Sequence, residues 1–165
     1  MRFIQLALLV SISVAACKQN ETNKPYKTGM EGKPLPEFAI QLLDSVSYLH
    51  SRDIPDGKKL IVFYYSPTCP FCRAQMRDMT NNMDKFQDEQ LYVLTDASLS
   101  AIKNFVSYFD LQNFKNVTIG RDTAGVILQK YGLINVPFTA LFDKNKKLKV
   151  AYSGRTNSNS LLEIR

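Results

Sequence analysis

The sequence predicts an α/β domain with a central mixed β-sheet, helices on both faces and a β-hairpin extension at the N-terminal end. Three observations carry this. Short runs rich in β-branched and aromatic residues alternate with segments whose apolar residues recur at helical spacing. The last two strand-like runs are separated only by a polar turn, so that pair is antiparallel. Two cysteines, in Cys69-Pro70-Phe71-Cys72, sit where a strand gives way to a helix.

Residues 38–43 and 46–50 read as two strands around Asp44-Ser45, and Ile54-Pro55-Asp56-Gly57 as a turn. Residues 60–65 are apolar without interruption, as in a buried strand, with Tyr64 and Tyr65 read as core. A helix follows from Pro70 to about Phe86, with Met76, Met79 and Met83 on one stripe. Residues 91–95 form another buried strand. Leu99, Ile102, Phe105, Val106 and Phe109 mark a helix over 99–109, and 117–119 is a short strand. Asp122 can cap a helix that runs to Tyr131 and stops at Gly132. Residues 138–142 and 148–152 make a hairpin through the 143–147 turn, and 158–165 allow only a short final helix.

Ahead of this domain, residues 1–16 read as an export signal. Arg2 opens it, and the apolar run over 3–14 falls short of the roughly 20 residues of a membrane span. It ends Val14-Ala15-Ala16-Cys17, which resembles a bacterial lipobox; the resemblance implies cleavage before Cys17 and lipidation of its thiol. An ordinary signal peptide or an uncleaved anchor are the alternatives. Residues 17–34 are polar and aperiodic and read as a tether, with a random-coil span of about 20–25 Å. Residues 35–165 form one domain, large enough to bury a core without disulfide staples.

Export explains the cysteine usage. With Cys17 lipidated, Cys69 and Cys72 are the remaining pair, and disulfides persist outside the cytosol. The net charge of +6 is partly gathered at Lys144, Lys146, Lys147 and Lys149. These suit a solvated hairpin turn and do not point to nucleic acid. Attraction to anionic lipid head groups is a weaker reading of them.

The strand–loop–helix context gives the two cysteines their chemistry. Cys69 falls at a helix N-terminus, where free N–H groups and the helix dipole stabilise a thiolate. Pro70 suits the first helical position because it has no N–H to leave unpaired. One helical turn brings Cys72 near enough to attack a mixed disulfide on Cys69, which is thiol–disulfide exchange. Half a zinc site is the competing reading. It needs four ligands, and only Cys17 and His50 remain to supply the others.

Val136-Pro137, directly before the strand at 138–142, completes a resemblance to the thioredoxin superfamily. That family pairs a C-x-x-C motif with a cis-proline. The resemblance implies that Val136 and Pro137 lie against the cysteines and present backbone to an extended substrate peptide. It is closer to the TlpA/ResA type, membrane-tethered thiol–disulfide oxidoreductases, through Gly32-Lys33-Pro34-Leu35-Pro36-Glu37-Phe38 and Tyr131-Gly132-Leu133-Ile134-Asn135-Val136-Pro137-Phe138. It implies a monomeric thioredoxin-like domain in the bacterial cell envelope, anchored by lipid and facing the periplasm. No cofactor beyond the Cys69–Cys72 disulfide is implied. Its expected partners are thiols or disulfides of exported proteins, apocytochromes c among them, and a membrane thiol-electron donor. Pro70 and Phe71 occupy the dipeptide that tunes reduction potential. The chain departs from the pattern at Phe63 and Gln75, where relatives carry acidic residues, and at Thr68, where tryptophan is frequent.

Two other functions compete. A peroxiredoxin-like thiol peroxidase shares the fold, but Pro67-Thr68-Cys69 lacks the usual P-x-x-x-T-x-x-C spacing, and Arg73 and Arg121 have no evident peroxide-binding placement. A copper chaperone would use cysteines and methionines, but Met76, Met79 and Met83 fit a helix–sheet core better.

Overall fold

The computed structural model describes residues 24–163. Strands β1 (Ala39–Gln41) and β2 (Tyr48–His50) form the lead-in hairpin. They are followed by β3 (Lys59–Tyr64), α1 (Pro70–Asn81), β4 (Glu89–Thr95), α2 (Leu99–Tyr108) and β5 (Val117–Arg121). Next come α3 (Val126–Tyr131), β6 (Phe138–Phe142), β7 (Leu148–Ser153) and α4 (Ser158–Leu162). The strands make one sheet in the order β2-β1-β5-β4-β3-β6-β7. β3, β4 and β5 are parallel, and the remaining pairings are antiparallel. The expected mixed α/β architecture with helices on both faces is thus observed.

Alternation along β3 builds both halves of the core. Ile61, Phe63 and Tyr65 face a cluster with Met76, Met79 and Met83 and with Ile102 and Phe105 of α2. Leu60, Val62 and Tyr64 face the other side, against Ile127 and Tyr131 of α3 and Ile40 of the lead-in hairpin. Both tyrosines are core residues, as their sequence context suggests.

Two stretches differ from the sequence reading. The helix expected to reach Phe86 ends at Asn81, with Asn82 as its C-cap, and a 3-10 turn over Met83–Phe86 carries the last apolar residues inward. Residues 26–35, placed by the sequence largely in a free tether, lie along the outer edge of β7. Leu35 N–H donates to the Lys146 carbonyl at 2.8 Å, Gly32 N–H to the Leu148 carbonyl at 2.8 Å and Tyr26 N–H to the Ala151 carbonyl at 2.7 Å. These bonds satisfy backbone groups that an edge strand would otherwise leave open. They involve main chain only, so side-chain periodicity gave no sign of them. The signal, Cys17 and the first part of the tether lie outside the described residues.

Candidate active site

Strand β3 delivers the chain to the site. Residues 66–69 turn sharply after it, with the Cys69 N–H donating to the Ser66 carbonyl at 3.1 Å. Cys69 is the N-cap of α1, in extended conformation, and Pro70 opens the helix. The Cys72 N–H donates to the Cys69 sulfur at 3.3 Å. This is the helix-terminal donor that the motif predicts, and it places a partial positive charge beside Sγ. Cys69 is half-buried and Cys72 is inaccessible to solvent. Phe71, between them, is 62% exposed.

The loop after α3 supplies the opposite wall. The Val136–Pro137 peptide bond is cis. The Cys69 thiol donates toward the Val136 carbonyl oxygen at 3.7 Å. β6 begins at the next residue, and its pairing with β3, Phe138 opposite Tyr64, holds the two loops side by side. The structure therefore brings together Cys69, Cys72 and Val136, with Pro137 adjoining in the chain; Pro70 and Phe71 complete the rim.

Burial holds the Cys72 thiol well above the ordinary range, and the adjoining Cys69 sulfur reinforces this. No carboxylate stands at position 63 or position 75. Phe63 is buried in a parallel stack with Tyr65, ring centroids 5.8 Å apart. Gln75 is buried and fully engaged: its amide donates to the Thr139 hydroxyl at 2.8 Å and accepts from the Thr156 N–H at 2.9 Å. The polar atom that the sequence reading did not single out is the Tyr65 hydroxyl. It is buried without a hydrogen-bond partner, and its own ionisation is opposed first by burial and then by the nearby Cys72 sulfur.

The other candidates lie apart from the sulfurs or have different partners. The Arg73 guanidinium stacks over Tyr108 at 4.1 Å and donates to the Pro67 carbonyl at 3.4 Å. Arg121 donates to the Asp96 carbonyl at 3.4 Å. Met76 and Met79 are sealed in the core, and His50 is exposed on β2. Among the described residues no three His, Cys, Asp or Glu side chains converge to hold a metal. Also among them, no helix is long and apolar enough to cross a membrane.

The Redoxin family model matches residues 30–163. The chain belongs to the Redoxin family. Its relatives include the thiol-disulfide oxidoreductase ResA of Bacillus thuringiensis subsp. konkukian, 26% identical over 135 residues, covering 80% of this chain and 75% of the relative. The thiol:disulfide interchange protein DsbE of Escherichia coli K12 is 24% identical over 164 residues, covering 93% of this chain and 80% of DsbE. Among solved structures, DsbF of MTB superposes with a TM-score of 0.64 at 20% identity, covering 76% of this chain and 90% of that one. The fold is thioredoxin-like, and family and relatives together make this Redoxin member a thiol–disulfide oxidoreductase.

Proposed function

We propose that this protein reduces disulfides of exported proteins in the bacterial envelope, through Cys69 and Cys72, while held to a membrane by a lipid on Cys17. The observation that carries the reading is the asymmetry of the pair. Cys69 is half-buried at the helix N-terminus with an N–H aimed at its sulfur, whereas Cys72 is sealed beneath it.

The steps follow from that asymmetry. The Cys69 thiolate attacks one sulfur of a substrate disulfide; the S–S bond breaks, and the departing sulfur takes up a proton. A mixed disulfide now joins Cys69 to the substrate. Cys72 then loses its proton, attacks the Cys69 sulfur and releases the substrate's second thiolate, which is protonated in turn. The substrate gains two electrons and two protons, and the protein is left with a Cys69–Cys72 disulfide. Burial keeps Cys72 protonated until that second step, which limits premature closure. The Val136 backbone beside Cys69 supports its role as the surface on which an extended substrate segment lies. A membrane dithiol donor would restore the reduced state.

Replacing Cys72 with Ser tests the reading. The variant should accumulate mixed disulfides through Cys69 with exported proteins, released by dithiothreitol. Absence of such adducts, alongside efficient turnover of hydrogen peroxide by the native protein, would favour the peroxidase instead.

A further inference from the structure

Arg73 and Arg77 stand one and two turns along α1 from Cys69, on the same side of the helix. The Arg73 N–H donates to the Cys69 carbonyl at 3.1 Å. Its guanidinium reaches back to the loop that carries the cysteine, donating to the Pro67 carbonyl at 3.4 Å, and lies 4.1 Å over the Tyr108 ring. Arg77 donates to the Tyr108 hydroxyl at 2.8 Å. Tyr108, the last residue of α2, thus gathers both cations, and it is 54% exposed. Like charges four residues apart on a helix repel. Among the described residues neither arginine has a carboxylate partner; the ion pairs there are Arg52–Asp53 and Lys146–Asp56. Asp78, on the same helix, is engaged by the Ser158 N–H and hydroxyl at 2.6 and 2.7 Å. Asp110, exposed beyond Tyr108, pairs with neither arginine. A guanidinium is a fork of several N–H donors, and the protein engages one from each.

We propose that Arg73 and Arg77 form a carboxylate-binding subsite beside Cys69, which selects protein substrates whose reactive cysteine is flanked by aspartate or glutamate. The inference rests on Cys69 as the attacking thiol of the proposed function. A polypeptide joined to the Cys69 sulfur must run over the surface around it, and Arg73 is one helical turn away. Arginine pairs with carboxylates through parallel N–H bonds from its planar fork. The stack on Tyr108 and the bond to Pro67 already fix the Arg73 plane, so little side-chain freedom is lost when a carboxylate arrives. A carboxylate between the two cations also relieves their repulsion and fills donors that the protein leaves open. The other concentration of positive charge does not duplicate this arrangement. β6 begins at Phe138, opposite Tyr64 beside the site, and ends at Phe142, opposite Leu60. The basic turn that follows therefore lies at the far end of the sheet, with Lys144 and Lys147 exposed on it.

The full chain carrying Cys17→Ser and Cys72→Ser has Cys69 as its sole thiol. It is mixed with short peptides whose single cysteine is a 2-thiopyridyl disulfide, flanked on both sides by Glu, Gln or Lys. The Cys69 thiolate attacks the peptide sulfur and the peptide–thiopyridyl S–S bond breaks. A Cys69–peptide disulfide forms, and 2-thiopyridone leaves with a proton and is read by absorbance. Dividing each rate by that with N-acetylcysteine amide removes the peptide's own reactivity. The Glu peptide should react about three- to fivefold faster than the Lys peptide at low salt, with Gln between, and the ratio should shrink as salt rises. Adding R73Q and R77Q should bring the ratio toward one. Adding K144Q and K147Q instead, which removes the same charge from the far turn, should leave most of it. Equal rates in the parent, a ratio that survives R73Q and R77Q, or one that K144Q and K147Q erase as fully would overturn the proposal. So would uniform slowing of all three peptides by R73Q and R77Q with the ratio intact, the mark of a purely structural role. Loss of binding to phosphatidylglycerol vesicles in that variant, with no peptide preference in the parent, would overturn it in favour of lipid. Absence of any thiopyridone release would remove Cys69 as the attacking thiol, and the subsite with it. The reduction of exported proteins is judged separately, by the adducts of Cys72→Ser, because the peptide ratio does not depend on the direction of electron flow.

Discussion

Gln75 and Thr139 join α1 to β6 through a 2.8 Å side-chain hydrogen bond that solvent does not reach. The same glutamine amide accepts from the Thr156 N–H, so one side chain on the cysteine-bearing helix ties two distant segments to it. A carboxylate here would have suggested proton transfer with Cys72. The amide has both its roles filled by structure.

Gln75→Leu should destabilise the protein by about 1–3 kcal/mol, since it leaves a buried hydroxyl and a buried N–H short of partners. Chemical denaturation should show a lower midpoint with an unchanged slope. The order of cysteine alkylation should persist, and a change in that order would give Gln75 a part in the chemistry.

Alkylation of the reduced protein should modify Cys69 first at every pH up to about 9, with Cys72 reacting only on unfolding or strongly alkaline treatment. Mass mapping of partly modified protein reads this directly. Preferential labelling of Cys72 would reverse the assigned roles.

The raised Cys72 thiol also sets a pH dependence of stability. Its contribution is fully present below the ordinary thiol value of about 8.5 and is lost as pH climbs toward the raised folded-state value. Melting temperature of the reduced protein should therefore fall above about pH 8.5, and less steeply in Cys72→Ser. Buried tyrosines such as Tyr65 add their own decline higher up, so the comparison of variants, not the absolute slope, isolates the cysteine.

Asp122 is inaccessible to solvent, and its carboxylate accepts from the Val126 and Ile127 N–H groups at 3.0 Å each. Asp122→Ala should cost about 1–3 kcal/mol by freeing the start of α3, the helix that leads into the Val136 loop. Exchange with a protein disulfide should slow more than exchange with a small aromatic disulfide. Equal slowing would mean that the Val136 loop does not hold the substrate segment.

The reduction potential should lie near that of thioredoxin, about −270 mV, as suits a reductant. Only one N–H is seen to donate to the Cys69 sulfur, and burial opposes a second thiolate at Cys72, so the dithiol form gains little extra stability. Equilibration with a dithiol buffer of known potential measures it. A value near −120 mV would mark a disulfide donor instead.

Much of the fold was legible because each strand and helix advertises its buried face. β3, α2 and the closing hairpin fall within a residue or two of their sequence positions. The end of α1 was misplaced for a definite reason. Apolar spacing reports burial, and Met83 and Phe86 are buried, but the helix has already stopped. Asn82 breaks it, its side-chain amide donating to the Asp78 carbonyl at 2.9 Å.

Within the site, the sequence by itself determined what is local. A strand, a short loop and a proline at the first helical position suffice to put Cys69 at a helix N-terminus and Cys72 one turn inside, because both depend on a few consecutive residues. The tertiary structure decided what approaches them. Val136 reaches Cys69 from 67 positions away, Gln75 finds its partners 64 and 81 positions away, and residues 26–35 are joined to the edge of β7 by main-chain hydrogen bonds. Such contacts depend on the order and register of strands in the sheet, which no local pattern of side chains specifies.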